Sequence, residues 1–235
     1  MFYCDAVTVM EIKPIAYIYT DFKEKFGLPR QSGRVPQLCG KIVFEPEYRN
    51  PDCIRGIEEF SHLWLIFGFS EAENGGISMT VRPPRLGGNE RVGVFASRAP
   101  YRPNSLGLSC VALQSVEYDE KDGNVLYVSG IDMLNKTPIY DIKPYIPYCD
   151  AHPDAKGSYA EKNEKYCVDV DFPEELLCKI PKEKQTALIK CLGEDPRPSY
   201  HKDGRKYSMT FLDFDVCFTV TDGVLKVLGV GKNEH

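Results

Sequence analysis

Histidine is scarce in this 235-residue chain, which has four, and tryptophan occurs once. The nine cysteines (Cys4, Cys39, Cys53, Cys110, Cys149, Cys167, Cys178, Cys191, Cys217) are odd in number, scattered, and never spaced as CxxC. Metal sites need clustered ligands and secreted scaffolds need paired thiols, so the expectation is no metal and reduced, mostly buried thiols in a cytoplasmic protein. Basic residues are also in deficit, with 29 Lys and Arg against 34 Asp and Glu, a net charge of −5. That excludes a protein that coats nucleic acid through a broad phosphate-neutralising surface, while leaving room for a local basic pocket. No uncharged apolar run approaches ~18 residues, and the first residues lack a basic stretch followed by an apolar one, so neither a membrane span nor an export signal is expected. Absent too are GxGxxG after a strand, the P-loop, HExxH and GxSxG, which removes the usual nucleotide, metalloprotease and hydrolase readings.

What the chain does have is concentrated between Val81 and Ser109, where Arg82, Arg85, Arg91, Arg98 and Arg102 alternate with prolines and glycines. Proline fixes its own dihedral and restricts the residue before it, and glycine lets backbone approach a ligand closely. Such a stretch suits neither a core strand nor a helix. It suits a stiff binding loop whose guanidinium groups receive a carboxylate or phosphate.

With 43% hydrophobic and 27% charged residues the chain can bury a sizeable core, as one main domain with a smaller appendage. Strands are expected at Val7–Thr20, Gly40–Glu45, His62–Phe69, Arg91–Ser97, Leu106–Tyr118 and Asn124–Ile131, with Asp122-Gly123 as a hairpin turn. Pro51–Phe60 reads as one or two helical turns with Asp52 as N-cap. His62–Phe69 is apolar on both faces, the pattern of a strand covered on both sides. On the residues alone, His62 is either a structural histidine at the mouth of that strand or a site group. Gly27, Pro29 and Gly33 force a loop that presents Arg30 and Gln31, either as a plain surface turn or as ligand contacts. Residues 149–170 are polar and read as a linker. Glu174–Ile180 and Pro181–Leu192 read as helices, the second closed by Gly193, and a strand pair follows at Lys206–Val220 and Val224–Val230. Many strands without long intervening helices favour a mainly β, α+β fold built on a small antiparallel barrel.

Six strings, FGLPRQSG (26–33), IRGIEEFSHLWLIF (54–67), VRPPRLGGN (81–89), VGVFASRAPYRPNSLGLS (92–109), TPIYDIKPYIP (137–147) and DPRPSY (195–200), closely resemble the TsaA-like family across nearly the whole chain. The resemblance implies an S-adenosylmethionine-dependent methyltransferase outside the Rossmann-like class. It further implies methylation of N6 of threonylcarbamoyladenosine at position 37, in the anticodon loop of threonine-reading tRNA, by a cytoplasmic homodimer. It divides the chain into a barrel domain at 1–150 and a C-terminal domain at 151–235 that completes the active site. Carried over residue by residue, the cofactor would meet Pro29, Arg30, Gln31, His62, Leu63, Arg98, Leu108, and Asp132, Met133, Leu134, Asn135, Lys136 and Thr137. At that turn the family's usual Asp-Gly before Thr is here Asn135-Lys136.

The chemistry expected is an in-line displacement in a site that excludes water. The acceptor nitrogen is conjugated to a carbonyl, so a proton acceptor or a polarising group is needed; Asp141, Lys143 and Tyr200 are the candidates. Arg85, Arg197, Tyr200 and Lys206 are the candidate RNA contacts, through phosphate pairing and base stacking. Two other classes stay open: methylation of a different substrate, and a non-catalytic module that binds S-adenosylmethionine.

Overall fold

The computed structural model describes residues 10–69, 76–83, 90–198, 201 and 203–233. Its first part carries eight strands: β1 (Ala16–Tyr19), β2 (Cys39–Phe44), β3 (His62–Gly68), β4 (Thr80–Val81), β5 (Val92–Gly93), β6 (Leu106–Asp119), β7 (Gly123–Ser129) and β8 (Thr137–Pro144). Six of them hydrogen-bond in the order β1-β2-β7-β6-β3-β8, every pairing antiparallel. Because β8 also pairs with β1, through Ile18 opposite Thr137 and Ala16 opposite Ile139, the ladder returns to its first strand as a barrel. The long β6 makes this possible: Leu106–Ala112 pair with β3 and Ala112–Asp119 with β7, the latter pairing shifting register between Leu113 and Ser115. Such irregularities bend a strand from one partner to the next.

Alternation decides what fills the barrel. Leu63, Leu65 and Phe67 of β3 are buried with Ala16, Ile18, Ile42, Val111, Leu126, Val128 and Ile139. The outward Trp64 is half-buried because the segment after β8 lies over it. Its ring meets Tyr145 at 5.9 Å, and its Nε1–H donates to Asp150 (2.9 Å) of the short helix α1 (Pro147–Asp150). The double-sided apolar character of this strand is therefore real.

The second part begins with β9 (Asp169–Asp171), α2 (Glu174–Leu177) and α3 (Lys182–Gly193), and continues as a meander, β10 (Lys206–Phe211), β11 (Phe214–Thr221) and β12 (Val224–Lys232). β9 adds to β12 in parallel, giving the order β10-β11-β12-β9. Leu188, Leu192, Phe211, Val216, Phe218 and Leu225 are buried and belong to the same apolar cluster as the barrel interior.

Several local expectations shift. The first strand covers only Ala16–Tyr19 within the described residues, since Pro14 lacks an amide hydrogen and restricts Lys13. Arg91–Ser97 is a two-residue strand followed by a 3-10 turn at Val94–Ala96. Pro51–Phe60 forms two 3-10 turns separated by Gly56 at φ 83°, and the cap is Asn50, whose Oδ1 accepts from the Asp52 amide at 3.0 Å. Gly193 is the last helical residue of α3; the left-handed position comes two residues later, at Asp195 (φ 52°). Lys206–Val220 is two strands, broken at Leu212 (φ 56°). The thiols are not mostly buried: among the described cysteines Cys191 is buried, Cys110 is half-buried and six are exposed.

One close approach tests the packing at the end of β3. A Cβ on Gly107 would lie 2.2 Å from Cζ of Phe67, with the rest of that ring also inside contact distance. Gly107→Ala is expected to lower stability by about 1–3 kcal/mol, the usual cost of overpacking. Urea denaturation measures this, and Phe67→Leu in the same chain should restore most of the loss.

Candidate functional site

A cleft of about 740 Å³ opens where β3 ends and β6 begins. Phe67, Gly68 and Phe69 from β3, with Leu106, Gly107, Leu108 and Ser109 from β6, make one wall. The loops 25–31, 95–104 and 132–137 make the others. Leu108 is 53% and Phe95 79% exposed, an unusual placement for side chains of this kind, and both lie at the cleft.

The loop between β1 and β2 is fixed from two sides. Toward the C-terminal part, Asp21 receives Lys184 of α3 at 2.5 Å, and its carbonyl accepts the Leu212 amide at 3.0 Å. Phe22 meets the edge of Phe211 at 5.5 Å, Phe26 stacks near Tyr207 and Phe218, and Gly27 (φ 94°) abuts Met209. Arg34 grips Glu194 with two bonds of 2.8 and 2.9 Å and also donates to the carbonyls of Glu164 and Tyr166. Toward the barrel, Gly33 N–H donates to the Gly130 carbonyl at 2.8 Å and the Thr20 hydroxyl to the Met133 carbonyl at 3.1 Å. Held in this way, Pro29, Arg30 and Gln31 face the cleft. Gln31 Oε1 accepts from the Arg98 guanidinium, and Arg30 donates to the carbonyls of Asp195 and Arg197 at 3.3 and 3.4 Å.

Charge in the cleft is one-sided. Lys25, Arg30, Arg98 and Arg102 oppose a single carboxylate, Asp132, among the described lining residues. The buried Ser109 donates its hydroxyl to Asp132 Oδ1 at 2.7 Å. Burial pushes the Asp132 carboxyl above its usual range, against the opposing pull of the Ser109 hydroxyl, the Ser32 and Asp132 amides and the Arg98 charge.

Nine of the expected cofactor residues line this cleft together: Pro29, Arg30, Gln31, Arg98, Leu108, Asp132, Met133, Leu134 and Thr137. His62 and Leu63 do not. They sit at the far end of β3, ~20 Å from Gly68 at strand rise. His62 is exposed, with Nδ1 2.9 Å from the Ser61 hydroxyl and its ring against Tyr145, while Leu63 is in the barrel interior. Asn135 and Lys136 turn away. The Asn135 side chain accepts the Thr20 amide (3.1 Å), and the Lys136 amide donates to Ile18 (2.8 Å). Lys136 has φ 64°, the left-handed conformation that explains glycine as the family's usual residue there.

Asp141 and Lys143 pair with each other at 2.9 Å on the exposed side of β8, outside the cleft. Tyr200 and Arg85 lie outside the described residues. Lys206 is exposed at the start of β10, also outside the cleft. The Arg197 side chain is only 11% exposed; its guanidinium binds Asp195 at 3.0 Å and Asp203 at 2.6 Å. Arg197 is thus committed to organising the loop after α3 and is not displayed for a phosphate. Sequence reasoning missed Phe67, Phe69, Asn104 and Ser109 as lining groups, although all but Phe69 lie in strings already singled out, whereas Arg102 was among the arginines expected to receive a ligand and does line the cleft.

Comparison with known proteins adds to this geometry. The family model for the tRNA-methyltransferase O N-terminal domain matches residues 17–151, and that for the TrmO C-terminal domain matches residues 165–233. The tRNA (adenine(37)-N6)-methyltransferase of Escherichia coli is 40% identical over 229 residues, covering 94% of this chain and 97% of that one. A probable S-adenosyl-L-methionine-binding protein of Pyrococcus abyssi is 38% identical over 151 residues, 64% of this chain and 76% of its own length. A crystal structure of TrmO from Pseudomonas aeruginosa superposes with a TM-score of 0.76 at 32% identity, covering 95% of this chain and 100% of that one.

The Arg197 geometry has a measurable consequence. Arg197→Ala removes the cation paired with the Asp195 carboxylate, which is 4% exposed and also accepts from the Tyr166 hydroxyl at 2.8 Å. Losing one partner of a buried pair should cost about 3 kcal/mol. Denaturant unfolding of Arg197→Ala should register that loss, and a variant as stable as the parent would show the pair to be dispensable.

Proposed function

This chain belongs to the tRNA-methyltransferase O family, and from that premise we propose that it transfers a methyl group from S-adenosylmethionine to N6 of adenine 37 in tRNA. The observation that carries the reading is the cleft in which Gln31, Arg98 and Asp132 converge beside apolar walls. S-adenosylmethionine supplies an electrophilic methyl carbon on a positively charged sulfur. Its other parts fit what is present: a carboxylate suits Arg98 or Arg30, and the adenine suits the apolar faces of Phe67, Leu108 and Leu134. Gln31 braces Arg98 against rotation, so the guanidinium is oriented before the ligand arrives. The cleft volume falls in the range of small-molecule sites.

The acceptor we propose is threonylcarbamoyladenosine, whose added carboxylate gives a further anion for the remaining cleft cations, Arg102 and Lys25. In this reading residues 1–150 hold the cofactor and 151–235 complete the site, with a second copy of the chain contributing in a cytoplasmic homodimer. Asp141 and Lys143 then have no direct chemical part within one chain. Arg197 acts by shaping the segment after α3 through Asp195 and Asp203. Arg85, Tyr200 and Lys206 remain the groups proposed to meet the RNA.

Radiolabelled methyl transfer to tRNA that carries its threonylcarbamoyl group, against the same tRNA without it, tests the reading. Transfer is expected to the modified tRNA alone; equal transfer to both would remove the proposed acceptor, and none to either would remove the activity. For the cofactor site, Arg98→Ala loses a charge-assisted hydrogen bond worth roughly 1.5–3 kcal/mol, so calorimetry should show S-adenosylmethionine affinity falling about tenfold to a hundredfold. Gln31→Ala should weaken it less, and the double variant should fall short of the sum, because the two side chains act as one unit.

A further inference from the structure

Methyl transfer to a nitrogen that carries a hydrogen leaves one proton to be removed, and the described cleft offers few places for it. Five ionisable side chains line it: Lys25, Arg30, Arg98 and Arg102 are cations at neutral pH, and the fifth is Asp132. No histidine, tyrosine, cysteine or glutamate is among the described lining residues. We propose that Asp132 accepts the proton of the acceptor nitrogen. The inference rests on the methyltransferase reading above.

The carboxylate is built into a rigid position. It follows Gly130, whose left-handed backbone (φ 73°) turns the chain out of β7, and whose amide and carbonyl are tied to Leu38 and Gly33 at 2.8 Å each. Ser109 on β6 donates to Oδ1 at 2.7 Å. A carboxylate has about four acceptor positions, so the Ser109 hydroxyl leaves room on it for the substrate. The charged groups around it are Arg98 on the facing loop, Arg30, Arg102 and Lys25 elsewhere on the cleft wall, and Lys136 exposed on its own turn. Burial raises the carboxyl above its ordinary value, which makes it a stronger base, and the Ser109 hydroxyl and the Arg98 charge pull the other way.

The step balances simply. As the lone pair of the acceptor nitrogen forms the new bond to carbon, the sulfur keeps the pair of the bond that breaks, and the N–H proton passes to Asp132. It is then released to water when the products leave. A nitrogen conjugated to a carbonyl is a poor nucleophile, so removing its proton during attack is where a base helps most.

Three measurements on the full-length protein test this. Asp132→Asn should lower the single-turnover methylation rate about 100-fold or more, the range for loss of a general base, while calorimetric affinity for S-adenosylmethionine stays within about threefold. Asp132→Glu should keep an intermediate rate. Ser109→Ala removes a donor that favours the ionised carboxylate, so the Asp132 pKa must rise. Carboxyl-carbon NMR titration of the cofactor-free protein should show it, and the acid limb of the rate profile should move to higher pH by the same amount. An Asp132→Asn enzyme within about tenfold of the parent overturns the proposal. So does an Asp132→Asn protein that no longer binds S-adenosylmethionine, which would make Asp132 a cofactor contact. A carboxyl titration that moves in Ser109→Ala while the rate profile stays fixed also overturns it. A parent protein that binds the cofactor but leaves modified tRNA unmethylated fails at the earlier step, the proposed function itself.

Discussion

Everything at the cleft depends on the segment from Thr20 to Arg34, because it is shared by two bodies of structure. Its aromatic side chains, Phe22 and Phe26, are core residues of the C-terminal sheet, where they meet Phe211, Tyr207 and Phe218. Its polar tip, Arg30 and Gln31, forms part of the cleft wall. The bidentate Arg34–Glu194 pair and the Lys184–Asp21 pair close the arrangement from α3. A loop outside any strand or helix has no regular hydrogen-bond ladder of its own, so its order has to come from contacts at both ends. Among the described residues, the C-terminal part therefore matters to the cleft without lining it.

That dependence also reconciles an acidic chain with a basic site. The excess of carboxylates is spread over the surface, while four cations are gathered at one cleft whose sole described carboxylate is Asp132. Backbone geometry does much of the gathering. Ser105 at φ 43° and Lys136 at φ 64° turn the two loops that bracket the entrance to β6 and β8, and the intervening prolines hold the arginine loop stiff. Not every arginine in a proline-rich loop serves a ligand. Arg98 reaches the cleft and is braced by Gln31, whereas Arg197, in a loop of similar composition, is consumed by Asp195 and Asp203. The difference lies in whether a carboxylate of the same chain is within reach.

The sequence by itself determined the mainly β class, the positions of most barrel strands, the stiff arginine loop and, through long motif strings, the family. These follow from local physics, since alternation, turn residues and proline act over a few positions. It also pointed to Arg30, Gln31 and Arg98, because loop position and charge are visible without a fold, and, through the family resemblance alone, to the turn after β7.

What only the tertiary structure decided is which of those groups meet. His62 lies in the same string as Phe67, yet a seven-residue strand carries the two to opposite ends of the barrel. Asp141 and Lys143 alternate onto the outer face of β8 and pair with each other, while Ser109, unremarkable in sequence, is brought to Asp132 across 23 residues by the turn out of β7. The pairing of Arg34 with Glu194 spans 160 residues. Partnerships of that range are fixed by how strands close and helices pack, and no local pattern of residue types encodes them.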